Sequence, residues 1–372
     1  MTRKRKKRKR RHPRPPLPPR GPRLEELLEK ARSLQEKGKL REALAVLEEA
    51  PAHMQRRGEL QVSRGILYVL MGDLSTATEA LEEAERLAPD TSFAAFFLAG
   101  LYRERSWMSH AARTARRALR LREFMPDDMA ETTEMLLEQA ETVIREMAAR
   151  LEISAGTMEK ALYHNELAER WVEADRFLDA ARSFQKAARL APTWIGPRNN
   201  EALFRFLSGE AQKAIRISEE VLAADPGNLH ALANLIRFCV ARGDQEEAEA
   251  YAERLRQLPL EEPSDVDKAI EALGILGDDE GLYAIYRRSQ PFLDELNSIA
   301  LVTLGSAAAN LGHPRIARRL WRQAEKAGTS TPFIERLSEA LSRKAPGPGL
   351  AERYPTVTIP TLISMPRLEE FG

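Results

Sequence analysis

A turn-forming residue recurs every 34 or 35 positions along this chain, and that interval limits what the chain can fold into. The turn slots are Gly38, Gly72, Ser106, Asp175, Gly209, Gly243, Gly277 and Gly312, and the one wider gap, from 106 to 175, is two periods long. A fixed period of this length means short supersecondary units stacked in a row, each burying its apolar face only against its neighbours. The residues around each turn repeat as well. In residues 58–90 a small residue, Gly65, precedes Tyr68 and the turn at Gly72, and Ala77, Leu81, Ala84 and Pro89 follow. The same slots hold Ala31, Leu34, Ala43, Leu47 and Ala50 upstream. Downstream they hold Ala99, Tyr102, Ala111, Ala115 and Ala118, and later Ala168, Trp171, Ala180, Phe184, Ala187 and Pro192.

Each slot has a physical role. A small residue near the middle of each helix lets two helices cross closely, and the large residues fill the space beside the crossing. Glycine closes the first helix because it tolerates φ > 0, and proline stops the second. Alanine occupies seven of the eight crossing slots in the second helices; the eighth is Leu282. Ile236 and Ile270 stand where the first helices want a small residue, and Arg205 where an aromatic is usual. Looser packing is expected in those units. In the irregular period, Met129, Leu136, Ala140, Val143, Met147 and Leu151 fall mostly at three- and four-residue spacing, which reads as one long amphipathic helix without a central turn.

Over residues 24–325 this pattern resembles the tetratricopeptide repeat, a helix–turn–helix unit of 34 residues. The resemblance implies an all-α fold, a right-handed α-solenoid. The expected organisation is a disordered basic tail (1–23), three repeats (24–122), an irregular long helix (123–157), five repeats (158–328), a capping helix (329–343) and an extended or incomplete segment (344–372). Thr331 is expected to cap the closing helix, with Pro332 in its first turn.

The charge is divided along the chain. Residues 1–23 carry 12 cations and no acid, which leaves 45 cations against 56 acids elsewhere, a net of −11. Like charges and prolines keep the tail from burying anything. Arg3, Lys4, Arg5, Lys6, Lys7, Arg8, Lys9, Arg10 and Arg11 form a polyanion-binding candidate whose affinity would fall steeply with salt. Residues 4–11 also suit a nuclear import signal if the host has a nucleus. Otherwise the chain is expected in the cytoplasm: no apolar run nears a membrane span, and the basic start is followed by prolines rather than a signal-peptide core. A lone cysteine, Cys239, forbids an intrachain disulfide and falls at a slot that faces the interior.

No catalytic constellation is visible. The six histidines lack metal-ligand spacing, and there is no CxxC, HExxH or phosphate loop, so no enzyme activity, cofactor or metal is expected. The four tryptophans read as packing residues. The function expected from the resemblance is a protein-interaction scaffold whose first helices line a concave groove for partner peptides or helices. An adaptor for nucleic acid or ribosomes, anchored by the basic tail, is the alternative. The resemblance places Val62, Ile66, Val69, Phe93 and Phe97 on an apolar part of that groove. It places Asn200 and Asn234 where such proteins bond a peptide's main chain, with His230 and Arg237 on the same helix face as Asn234. The carboxylate clamp known in the family does not match: Glu169 follows Asn165 where an asparagine is needed, and the lysines are missing.

Overall fold

The structure is a computed structural model that describes residues 23–89 and 92–342. The expectations for the basic tail, apart from Arg23, and for residues 344–372 lie outside the described residues. Among the described residues there are eighteen α-helices and no strand. Three hairpins come first: α1 (Leu24–Glu36) with α2 (Leu40–Glu48), α3 (Gly58–Met71) with α4 (Leu74–Leu87), and α5 (Ser92–Glu104) with α6 (Met108–Leu119). A single 24-residue helix, α7 (Asp127–Arg150), follows. Five hairpins come next: α8 (Ala155–Glu173) with α9 (Phe177–Leu190), α10 (Gly196–Leu207) with α11 (Ala211–Ala224), α12 (Leu229–Arg242) with α13 (Gln245–Arg256), α14 (Pro263–Leu276) with α15 (Asp279–Arg288), and α16 (Ser298–Asn310) with α17 (Pro314–Lys326). The last helix is α18 (Thr331–Ser342). No described helix is long and apolar enough to cross a membrane. The described residues divide into two compact units, residues 23–89 and 92–104 with 111–137, and residues 105–110 with 138–342.

All eight turn slots adopt the left-handed conformation, including the two that are not glycine: Ser106 at φ 58° and Asp175 at φ 55°. Seven of these turns close their helix with the same backbone bond. After Gly72 the Asp73 N–H bonds the Tyr68 carbonyl at 3.0 Å, and after Asp175 the Arg176 N–H bonds the Trp171 carbonyl at 2.8 Å. Asp73 then caps α4 by accepting from the Thr76 N–H at 3.1 Å.

The helix crossings explain the small residues. A Cβ added at Gly65 would lie 2.5 Å from Leu81, and one at Gly305 would lie 2.5 Å from the Trp321 indole. Ala43, Ala77, Ala111, Ala180, Ala214, Ala248 and Ala317 are all fully buried. The units with bulky replacements are filled rather than uniformly loosened. Ile236 and Ala248 are both fully buried, and α12 packs closely on α13. Where Ile270 and Leu282 are both bulky, α14 packs more extensively on α12 than on its own partner α15. Arg205 is also buried, which corrects the expectation at its slot: its guanidinium pairs with Glu210 at 2.6 Å and Glu201 at 3.3 Å. Two carboxylates satisfy the charge where an aromatic would have supplied bulk.

In the first unit Leu136 of α7 packs with Ala99 and Ala115. In the second, Val143 and Met147 of α7 are buried. At the far end Ile334 and Leu337 of α18 pack on Ala308, Ala309 and Trp321. Thr331 is already helical, so the start of α18 lies one residue earlier than expected.

Candidate functional site

The first helices carry the candidate residues, and the two units treat them differently. In the first unit, α3 presents Val62, Ile66 and Val69, all half-buried, at spacings that share one helix face. Leu70 beside them is 51% exposed. On α5, Phe93 is 43% exposed. Phe97, one turn on, is half-buried, with its ring edge-on to Phe96 at 5.1 Å. The helices α3 and α5 touch. They bring together apolar side chains that the unit does not finish burying.

In the second unit the corresponding face is closed. Asn200 is buried, and so is Asn234, whose Nδ2 donates to the Asn199 carbonyl on the preceding first helix at 3.0 Å. Asn199 in turn donates to the Asn228 Oδ1 at 3.1 Å, the same oxygen that caps α12 through the Ala231 N–H at 3.0 Å. The Asn234 donor expected to grip a peptide therefore ties α12 to α10. Consecutive first helices lie close enough here for an amide to reach the neighbour's backbone, and an amide serves that purpose as well as ligand binding.

Arg237 is committed as well: it pairs with Glu271, which occupies the same slot one repeat later, and Lys268 bonds Glu271 at 2.8 Å. Buried charges are tolerated only when paired in this way. His230 lies beside this group, its Nδ1 buried without a hydrogen-bond partner. Burial, with Lys268 adding to it, lowers its pKa from 6.5 to about 3, so the ring is neutral. The nine tail cations, Arg3 to Arg11, lie outside the described residues.

A polar cluster on α8 was not foreseen. Asn165, Glu166, Glu169 and Glu173 share one face of that helix, and residues 105–110 of the same unit dock on it. The fully buried Glu166 carboxylate accepts the N–H groups of Ser109 and His110 at 2.8 and 2.9 Å. It thereby satisfies the open amides in the first turn of α6. The His110 Nδ1 lies 2.5 Å from Glu166, and the imidazole stacks on Tyr163 at 5.1 Å. Glu169 accepts from the Trp107 indole at 2.7 Å and from the Asn165 amide at 2.8 Å. Arg105 pairs with Glu173 and lies 3.9 Å over the Trp107 ring. Burial raises both carboxyls, that of Glu169 from 4.5 to about 7. Trp107 is a packing residue, as read from sequence, but also a donor. The available signal was the row of acids on α8 at spacings of three and four.

A family model described as tetratricopeptide repeat matches residues 205–273, from the end of α10 into α14. The TPR repeat-containing protein YvcD of Bacillus subtilis (strain 168) is 26% identical over 195 residues, which cover 51% of this chain and 40% of that protein. This chain therefore matches about two fifths of that relative's length. Among solved structures, the APC/C hetero-tetramer Cut9-Hcn1 aligns at 13% identity over 86% of this chain and 78% of that one, with a TM-score of 0.40. YrrB, titled a TPR protein with an unusual peptide-binding site, aligns at 14% identity over 65% of this chain and 97% of its own, with a TM-score of 0.27.

Proposed function

We propose that the chain is a tetratricopeptide repeat protein, as the family model over residues 205–273 and the similarity to YvcD support, and that it is a protein-interaction scaffold whose α3–α5 face takes an apolar segment of a partner. The observation that carries this reading is the exposure of Leu70 and Phe93 beside the half-buried Val62, Ile66, Val69 and Phe97. Apolar side chains gathered on one face and left part-open to water are a feature of interaction sites. The second-unit slots support the choice by contrast, since Asn234 and Arg237 are already bonded within the fold.

Completing the burial of a half-exposed Phe and Leu contributes about 1 kcal/mol each, taking half of the usual value for full burial. A segment covering both therefore loses roughly 10- to 50-fold in affinity when they are removed. The test is to select peptides from a displayed library on the full chain and measure their affinity for two variants. Phe93→Ser with Leu70→Ser should weaken binding by that factor. Asn200→Ala with Asn234→Ala should leave it unchanged, with helix content preserved in both. The opposite pattern would move the site to the second unit and overturn this assignment.

A further inference from the structure

We propose that the exposed face of α17 is a separate docking surface for the phosphate backbone of a double-stranded nucleic acid. Arg315, Arg318, Arg319, Arg322 and Lys326 fall within roughly a third of the helix circumference at 3.6 residues per turn. Ala317, Leu320, Trp321 and Ala324 fill the opposite side and are fully buried. Arg315, Arg319, Arg322 and Lys326 are exposed and Arg318 is half-buried, while the one acid of the helix, Glu325, stands half-buried at the edge of the stripe. Arg287, exposed at the end of the neighbouring second helix α15, adds a sixth cation.

No acid among the described residues pairs with any of these cations. Arg319 donates to the Tyr286 hydroxyl, and the Arg322 Nε donates to the Arg318 carbonyl at 3.2 Å, so both guanidiniums are held by neutral groups. Elsewhere the chain pairs its arginines readily, as in Arg86 with Glu83, Arg176 with Asp179 and Arg198 with Glu201. A body with excess acid that leaves one row of cations unneutralised accepts self-repulsion there. An external polyanion relieves it.

Three features favour a nucleic-acid duplex. Arginine dominates the stripe, and its planar fork matches a phosphate's oxygens. From Arg315 to Lys326 the stripe runs roughly 17 Å, a length along which a duplex presents about ten phosphate charges. A single strand is bound largely by stacking its bases on aromatic rings, and the nearby rings of Trp321 and Tyr286 are buried. Contacts to phosphate alone fix position and not sequence, so binding should be indifferent to sequence.

The test uses the full chain and fluorescent 20-base-pair DNA and RNA duplexes of mixed sequence, with affinity measured from about 50 to 200 mM salt. The variant changes Arg287, Arg315 and Lys326 to Gln, leaving Arg319 and Arg322, which contact Tyr286 and the backbone, in place. Three lost phosphate contacts should lower the salt slope by about 2.7, so that the affinity lost across that range shrinks about 40-fold. Weakening of the DNA complex, the RNA complex or both by the variant supports the surface and identifies the polymer it prefers. An unchanged slope for both duplexes would place all polyanion binding on the basic tail and overturn the proposal. So would preferential binding of polyglutamate over both duplexes, which would indicate an acidic protein instead.

Discussion

Replacing Glu169 with Gln should abolish a specific part of the pH dependence of stability. The Glu169 carboxylate accepts from Trp107 and Asn165 in a buried setting. Burial is the main cause that raises its pKa from 4.5 to about 7, with the like charges of Glu166 and Glu173 adding to the rise; the Trp107 bond and Arg105 oppose it. Since the folded state holds the proton more tightly than the unfolded chain, the stabilising contribution is fully present below pH 4.5. It is lost as pH rises through 7. A difference of about 2.5 pH units at 1.36 kcal/mol each amounts to about 3 kcal/mol. Gln keeps a carbonyl for the indole and carries no charge, although Asn165 must rotate to offer its own oxygen. The variant should therefore gain about 2–3 kcal/mol on the native protein at pH 8 and close to nothing at pH 4.5. Urea unfolding followed by circular dichroism at both pH values measures this, and the comparison cancels groups that titrate alike in both proteins. A difference between variant and native protein that is the same at pH 8 and pH 4.5 would refute the reasoning.

Other positions give independent checks. Burial, with Glu247 and Asp244 contributing, pushes the Cys239 thiol up to about 12, so it should react with a thiol reagent only on unfolding. Rapid labelling of the native protein would count against that placement. His230 is held neutral with a pKa of about 3, so its contribution is present above pH 6.5 and is lost as pH falls towards 3. His230→Gln should flatten that acid limb of a stability-versus-pH curve, and a limb of the same steepness would contradict the burial. Ser106 occupies a left-handed turn slot at φ 58°. Ser106→Gly should raise stability by about 0.5–1 kcal/mol, the relief of strain less the added unfolded-state freedom; a lower melting temperature would go against it.

The positions fixed by local geometry could be read from the chain. A turn that needs φ > 0 selects Gly strongly, and Ser106 and Asp175 were placed in the same slots because the spacing demanded it. The crossing alanines were equally legible, since a close crossing has room for little else. The second-unit candidates were not. Whether Asn234 faces a ligand or the Asn199 carbonyl depends on how near α10 lies to α12, and many distant contacts set that distance. The Trp107–Glu169 and Ser109–Glu166 bonds join residues 62 and 57 positions apart, and nothing in either local sequence names the other. Leu70 belongs to the apolar face and was passed over, because helix spacing gives the direction of a side chain but not the amount of it left uncovered.

The pair of bulky residues at Ile270 and Leu282 bears on how the second unit comes apart. With α14 seated chiefly on α12, the cooperative blocks of this array do not coincide with its sequence repeats. α14 belongs energetically with the helices before it, and α15 begins a terminal block with α16, α17 and α18. Opening from that end should part the chain at Gly277 and Asp278, in the middle of a repeat, and amide exchange should show α15 to α18 released together while α14 stays protected. The natural module for recombination or truncation here starts with a second helix, half a repeat out of phase with the 34-residue pattern of the sequence.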